Sequence, residues 1–180
     1  MNNLPTASEL QFSKQFLLAP KRFSHELLKD WTLQPVNNNY ALYSHKKLSV
    51  ANSSGSNTSL WGLGMFLDPC DTEADDKTII QRLATSSLNF SELESNIAML
   101  GGRWVLIAII DNDVRIYHDA TGQKPVFLYP KQAEEIYISS HPSLLHALEV
   151  TEYDIELVKN FEQYKNSGRE FRGTPVYVPN

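Results

Sequence analysis

The sequence contains a single cysteine, Cys70, among its 180 residues. A disulfide framework requires cysteine pairs, so the class of small disulfide-stapled secreted domains is excluded. A single thiol agrees with a reducing compartment. Long hydrophobic runs are also missing, because the best one near the start, residues 16–19, ends at Pro20. That run is too short for a signal-peptide core or a membrane span. We therefore expect a cytoplasmic protein that does not engage a membrane.

Basic residues are too few and too scattered for a nucleic-acid interface. The chain has 16 lysines and arginines against 21 aspartates and glutamates, which gives a formal net charge of -5. The basic groups at residues 21–22 and 46–47 are pairs, whereas a stripe of charge is needed to neutralise many phosphates. The sequence therefore predicts no nucleic-acid partner.

Motifs for metals and cofactors are missing as well. Acidic residues cluster between Asp68 and Asp76, but without the D-x-D-x-D-G spacing of a calcium loop. The five histidines lack the H-x-x-x-H spacing that places two imidazoles on one helix face. Neither a Walker motif nor a G-x-S-x-G motif is present. We expect no metal and no cofactor.

What the sequence does contain is the composition of one globular domain, with 42% hydrophobic residues. We interpret residues 1–20 as a flexible N-terminal arm. The spacing of Phe23, Leu27, Leu28 and Trp31 predicts a short helix over residues 21–34. Alternating and Gly-punctuated apolar residues then predict strands, at 41–43, 48–51 and 60–67.

Two helices are predicted next, the first capped by Asp75 or Asp76 and the second preceded by a Ser91/Glu94 capping box. The unbroken apolar run 104–110 is typical of a strand buried on both faces. Further strands are predicted at 114–117, 126–129 and 136–138, and further helices from Pro142 and over 154–164. Helices and antiparallel strands in separate blocks indicate an α+β fold with helices outside a central sheet.

Three stretches carry a more specific pattern: Leu100-Gly101-Gly102-Arg103-Trp104-Val105, His118-Asp119-Ala120-Thr121-Gly122-Gln123-Lys124-Pro125-Val126-Phe127-Leu128-Tyr129, and Ile138-Ser139-Ser140. In order, spacing and residue type they resemble the N-terminal glutaminase domain of the asparagine synthetase family, a class II glutamine amidotransferase. Weaker similarity extends to His45-Lys46-Lys47-Leu48-Ser49-Val50, which resembles the family's H-x-R-L-S-I segment. Downstream, Phe171-Arg172-Gly173 and Pro179 resemble its interdomain linker.

The resemblance implies the αββα sandwich of N-terminal nucleophile (Ntn) hydrolases, two antiparallel sheets flanked by helices. It would occupy residues 21–150, and residues 151–180 would form a C-terminal helix and a linker towards an ATP-using synthetase domain. The S-G-G-x-D-S pyrophosphate loop of that domain does not occur in this sequence. We interpret the ending as a cut at a domain boundary; a stand-alone remnant is the alternative.

The departures from the family pattern decide the expected activity. The family's nucleophile is an N-terminal cysteine whose own α-amino group is the base, whereas this chain begins Met1-Asn2-Asn3. Cys70 follows Pro69 in an acidic loop, where neighbouring carboxylates disfavour a thiolate. No catalytic residue is therefore predicted.

The remaining pocket residues of the family are altered too. Its Asn-Gly-Glu corresponds to Leu63-Gly64-Met65, its substrate-gripping aspartate to Gly101, and its carboxylate-pairing arginine to Lys47, which lacks the bidentate fork. Loss of one oxyanion donor alone lowers turnover by about 100-fold or more. We expect a vestigial pocket without glutaminase activity.

The motif turn formed by Asp119, Gly122, Lys124 and Pro125 has two interpretations. It could bind a ligand or partner, or it could be architectural, a turn aspartate with a surface lysine; the turn preferences of these residues favour the second.

Three functions remain open. The favoured one is a non-catalytic structural or docking module for an adenylating, amide-forming synthetase domain, with an exposed apolar patch near residues 150–180. The second is an Ntn enzyme in which removal of the leader exposes Thr6, Ser8 or Ser13. The third is a module that binds a small apolar molecule in the old pocket, lined by Trp61, Leu63 and Met65.

Overall fold

The computed structural model describes residues 12–132 and 135–151. Within these ranges the chain forms nine strands, one 3₁₀ turn and three α-helices. In chain order these are β1 (Phe16–Pro20), the 3₁₀ turn (Glu26–Leu28), β2 (Thr32–Pro35), β3 (Tyr40–Ser44), β4 (Val50–Ser54), β5 (Thr58–Leu67), α1 (Asp76–Ser86), α2 (Phe90–Ile97), β6 (Gly101–Ile110), β7 (Asp113–His118), β8 (Phe127–Gln132), β9 (Glu135–Ser139) and α3 (Pro142–Ala147).

The strands form two antiparallel sheets. The five-stranded sheet has the order β2-β3-β1-β9-β8, and the four-stranded sheet has the order β4-β5-β6-β7. The four-stranded sheet is a meander built around the ten-residue strands β5 and β6, which pair along their full length. In the five-stranded sheet β1 lies at the centre, between β3 and β9. The α+β class expected from the sequence is confirmed, with more sheet than helix.

Three apolar clusters define the layers. One fills the space between the sheets, with Leu18 and Leu42 from one sheet facing Leu63 and Ile107 from the other. The second packs α1 and α2 against the outer face of the four-stranded sheet. The third packs α3 and the 3₁₀ turn against the outer face of the five-stranded sheet. The two sheets therefore lie face to face, with helices on both outer sides.

Strand β6 confirms the expectation of a strand buried on both faces. Its even-numbered side chains from Trp104 to Ile110 contact the helix layer, and Val105 and Ile107 contact the opposite sheet. All six of these residues are at most 3% exposed. An unbroken apolar run suits this position because a strand covered on both faces has no solvent side.

The helix starts are set by side-chain caps, one of them at a position that differs from the prediction. Asp75 caps α1 by accepting the Thr78 amide at 2.8 Å. Helix α2 is capped by Asn89, which accepts the Glu92 amide at 2.9 Å, and Glu92 in turn accepts the Leu88 amide at 2.7 Å. The predicted Ser91 box is therefore wrong by two residues, because an asparagine serves as well as serine at an N-cap.

Residues 12–35 differ most from the sequence-based expectation. Residues 16–20 are not a flexible arm: they form β1, whose five residues are all buried. The helix expected over 21–34 is replaced by a single 3₁₀ turn and by β2, which pairs with β3. Pairing with distant strands overrides the local helical spacing here. Residues 1–11 lie outside the described residues, as do the predicted helix over 154–164 and all but the first residue of the segment 151–180.

None of the described helices has the length and apolar character needed to cross a membrane.

We expect Leu17→Ala to test the role of β1 in the core. Leu17 is fully buried, so its truncation should lower the free energy of unfolding by about 2 to 5 kcal/mol. Leu33→Ala, on the edge strand β2 where the side chain is 56% exposed, is the control and should change it by less than about 0.5 kcal/mol. Urea unfolding of both variants measures the difference. Equal, small effects would show that β1 is not part of the cooperative core.

Candidate functional site

A cleft of about 540 Å³ opens where the apolar layer between the sheets ends. Met65 and Arg103 pair across β5 and β6 and lie two positions beyond Leu63 and Val105, which belong to that layer. On the other sheet the wall comes from the chain entering β1 and leaving β9. The lining residues are Ser13, Lys14, Gln15, Lys47, Leu48, Ser49, Gly64, Met65, Asp76, Arg103, Gln123, Lys124, Pro125, Ser140 and His141.

Gly64 shapes the wall of the cleft. Its φ of +108° lies in a region that side-chain-bearing residues rarely adopt, and its amide donates to the Ser49 carbonyl at 2.9 Å. A Cβ at this position would lie 2.3 Å from the Arg103 carbonyl oxygen and 3.3 Å from Cδ of Lys124. The bare glycine therefore leaves room for the aliphatic stem of Lys124 to lie against the sheet.

The cleft carries an excess of positive charge. Lys14, Lys47, Arg103 and Lys124 all line it, and the structure records no ion pair to any of them among the described residues. The guanidinium of Arg103 donates to the Gln123 carbonyl at 3.3 Å, and Nζ of Lys124 donates weakly to the Lys14 carbonyl at 3.5 Å. Both acceptors are neutral carbonyl oxygens, so neither hydrogen bond neutralises the charge of its donor.

Among the described residues, Asp76 is the one carboxylate that lines the cleft, and both of its oxygens accept hydrogen bonds. Oδ1 accepts the Phe66 amide at 2.8 Å, and Oδ2 accepts the Ser49 hydroxyl at 3.0 Å. The carboxylate thus ties α1 to β5 and to the segment before β4. It does not form an ion pair with a cleft lysine.

Lys124 is the cation most affected by its surroundings. Burial of the ammonium group, together with the nearby charges of Arg103 and Lys14, lowers the pKa of Lys124 to about 8. Desolvation and like charge both disfavour the protonated form of an amine. Near neutral pH, Lys124 therefore titrates, unlike an ordinary surface lysine.

The backbone that carries Lys124 is held by the buried carboxylate of Asp119. Oδ1 accepts the Thr121 amide, the Thr121 hydroxyl and the Gln123 amide at 3.2, 2.7 and 3.0 Å, and Oδ2 accepts the Lys124 amide at 3.0 Å. Burial opposes ionisation of the carboxyl, but these hydrogen bonds prevail and lower the pKa of Asp119 to about 2. Asp119 is 2% exposed, so it supports the turn from below and does not line the cleft.

Ser140 fixes the other wall. Its buried hydroxyl accepts the Phe16 amide at 2.9 Å and donates to the Phe16 carbonyl at 3.3 Å. The start of β1 is therefore locked beside the end of β9. Ser13 and Lys14, which precede β1, are thereby brought to the mouth of the cleft.

The residues predicted from the sequence divide into three groups. Lys47, Gly64, Met65, Lys124 and Pro125 line the cleft. Leu63 is fully buried between the sheets, and Gly101 pairs with Leu67 at the start of β6, so neither of these lines it. Asp119 and Gly122 form the turn beneath.

Two of the open interpretations need correction. Leu63 and Trp61 cannot line a pocket for an apolar molecule, because both belong to the inter-sheet core and are at most 8% exposed. Lys124 is not a simple surface lysine, since it is half-buried in the cleft. The architectural role of Asp119 agrees with its hydrogen bonds. Cys70 is exposed and lies outside the cleft lining, with its amide bonded to Asp68.

Sequence reasoning missed Lys14, Arg103, Ser140 and His141 as cleft residues. Arg103 and Ser140 stand inside the motif stretches and could have been found from them, since neighbouring positions of a motif often share one site. Lys14 and His141 gave no signal, because only the pairing of β1 with β9 brings them together.

The comparisons with known proteins add no identification. No protein-family model matches the chain, and no curated protein gives a significant match to its sequence. Within residues 12–132 and 135–151, no group of three or more His, Cys, Asp or Glu side chains could hold a metal ion.

Asp119→Asn should lower the free energy of unfolding by about 2 to 4 kcal/mol at neutral pH, because an amide cannot accept all four donors. The folded-state pKa of Asp119 is depressed, so its stabilisation is complete above the unfolded pKa of about 3.9 and is lost as the pH falls towards 2. Urea unfolding from pH 7 to pH 2 should show the two proteins converging. Asp113→Asn, at an exposed position in β7, serves as control. A difference that persists at pH 2 would contradict this account.

Gly64→Ala should lower the free energy of unfolding by about 3 kcal/mol or more, because both the positive φ and the contact with the Arg103 carbonyl oppose a methyl group. Gly122→Ala separates the two causes. Gly122 also has positive φ, at +63°, but nothing lies within 4 Å of its added Cβ. That variant should lose only about 1 kcal/mol in a thermal melt. Similar losses for the two variants would argue against the steric contact.

Proposed function

We propose that this chain is a degenerate Ntn-type glutamine-amidotransferase domain of the asparagine synthetase kind. It has lost glutaminase activity and serves as a structural or docking module for an ATP-dependent, amide-forming domain. The proposal rests on the motif resemblance and on the chemistry of the cleft.

The layered architecture supports the proposal. Two antiparallel sheets stacked face to face, with α1 and α2 on one side and α3 on the other, are what an αββα sandwich requires. The three stretches that carry the resemblance meet at one end of the sandwich. β6 follows Leu100, the Asp119 turn carries Lys124, and Ser140 closes β9 onto β1.

The cleft is the observation that carries the loss of activity. It lies at the strand ends beside Lys47, Gly64 and Met65, which are positions that the resemblance assigns to the glutamine pocket. By the resemblance, Leu63 and Met65 correspond to the asparagine and the glutamate of the family. No thiol lines the described part of the cleft. Replacement of the family's oxyanion-donating amide and amine-binding carboxylate by Leu63 and Met65 removes two groups on which amide hydrolysis by the family's mechanism depends, and this supports the loss of activity.

Exposed apolar side chains on a sheet edge support the docking role. β8 is an edge strand of the five-stranded sheet, and its Leu128 and Phe127 are 62% and 39% exposed. A strand at the edge of the described sheet that exposes large apolar side chains is a surface suited to a protein partner. The patch expected near residues 150–180 lies almost wholly outside the described residues.

A second candidate is an enzyme matured by cleavage of its leader. Ser13 favours it, because this residue lines the cleft three positions before β1 begins. Thr6 and Ser8 lie outside the described residues. The altered residues of the pocket count against this candidate.

The purified chain should not react with a diazoketone analogue of glutamine, and it should release no ammonia from glutamine. Intact-mass spectrometry and a coupled ammonia assay measure the two quantities, with an active class II glutaminase run in parallel as the control. An unshifted mass at the full chain length supports the non-catalytic module. A shortened chain beginning at Ser13, or a gain of one adduct, would overturn the proposal and establish the second candidate.

A further inference from the structure

The cleft brings like charges together from separate parts of the chain. Lys14, Lys47, Arg103 and Lys124 converge on one cavity from four separate segments of the chain, and no ion pair to any of them is recorded among the described residues. Grouping like charges is unfavourable, and an acidic protein with formal net charge -5 has carboxylates available elsewhere to separate them. Such a cluster is explained most directly by an anion that it binds.

We propose that the cleft binds a small phosphate-bearing metabolite, whose phosphate lies among Lys124, Lys47, Lys14 and Arg103. The inference goes beyond the proposed docking role and stands on the cleft alone, whether or not the domain descends from a glutaminase. Binding of a regulatory ligand would be a function for this cavity in a module without catalytic activity.

Charge balance favours a dianion. In the described lining the four basic side chains are accompanied by a single carboxylate, Asp76, whose two oxygens already accept the Phe66 amide and the Ser49 hydroxyl. A phosphate monoester carries nearly two negative charges near neutral pH and has three strong acceptor oxygens. It would compensate more of the excess than a single carboxylate. His141, the remaining titratable group in the lining, is able to add a further donor.

Donor geometry and size favour a small phosphate compound over other anions. Three of the four cations are lysines, which bind phosphate as point charges, and the single arginine supplies one planar fork. The volume of about 540 Å³ falls within the usual range for small-molecule sites. A nucleic acid is disfavoured because the surface outside the cleft is acidic on balance, so it repels an extended polyanion.

Lys124 gives the site a pH signature. Its lowered pKa, about 8, follows from burial and from Arg103 and Lys14 beside it, so a bound dianion should raise this pKa again. Lys124 is about half protonated at pH 8 before binding, so binding at this pH should be accompanied by uptake of up to about half a proton per site. Phosphate monoesters are already dianionic at that pH, so the proton goes to the protein. Lys47 and Asp76 face the same cavity and complete its charged groups.

The test is isothermal titration of the full chain at pH 8 with glycerol 3-phosphate, with glycerol and succinate as comparison ligands. We expect saturable binding of the phosphate ester, none of glycerol, and a heat that depends on the ionisation enthalpy of the buffer. Lys124→Met should weaken binding about tenfold or more, because one charge-assisted contact is lost, and should abolish the proton uptake. Lys46→Met, beside Lys47 but outside the cleft lining, should leave both unchanged.

Lys47→Met provides a second variant at an exposed position, in case replacement of Lys124 disturbs folding; it should weaken binding while the thermal midpoint stays constant. Absence of saturable phosphate binding would overturn the inference, and so would equal weakening by Lys46→Met and Lys47→Met. Tighter binding of succinate would contradict the inference and show that the cleft prefers a dicarboxylate to a phosphate ester. None of these outcomes bears on the glutamine assays, so failure of one proposal is distinguishable from failure of the other.

Discussion

The apolar layer between the two sheets is the constraint on which the other features depend. Leu18 and Leu42 on one side, and Leu63 and Ile107 on the other, hold the sheets face to face and set which side chains of each strand point inward. Because neighbouring side chains alternate along a strand, this also determines which face of β6 meets the helices. Where the layer runs out, the same inward-facing rows continue as Met65 and Arg103. The cleft is thus the open end of the core, and its walls are positioned by the core itself.

The turn at Asp119 connects this scaffold to the chemistry of the cleft. A carboxylate buried beneath the turn accepts the amides of residues 121, 123 and 124 and the hydroxyl of Thr121, which fixes the backbone from which Lys124 extends. The ammonium group of Lys124 is then held close enough to Lys14 and Arg103 for their positive charges to disfavour its protonation. One short segment therefore carries at its start a carboxyl group whose ionisation is favoured, Asp119, and at its end an amine whose protonation is disfavoured, Lys124.

The sequence predicted the parts of the molecule in which local pattern and tertiary environment agree. Strand β6 was readable because burial on both faces leaves a continuous apolar run, and the start of α1 was readable from a capping aspartate. β1 could not be predicted from the sequence, because a short run that ends at Pro20 gives no local strand signal. Its strand conformation follows from its pairing with β3 and β9. The same pairing explains the incomplete prediction of the site. Lys47, Gly64 and Lys124 were found from motif positions, whereas Lys14 and His141 reach the cleft only through long-range strand contacts.

Gly64 and Gly102, at the cleft end of β5 and β6, limit how this cavity can change as the sequence diverges. Gly64 and Gly102 both have φ of +108°, and a Cβ on either would collide with a carbonyl oxygen of the opposite strand, that of Arg103 or of Met65. The backbone outline of this wall is therefore closed to substitution, while the flanking side chains at 47, 65, 103 and 124 project from it without such a restriction. Descendants of this sequence can exchange the charge and reach of those side chains one at a time. The cavity can thus change what it holds without a change in the backbone outline of this wall.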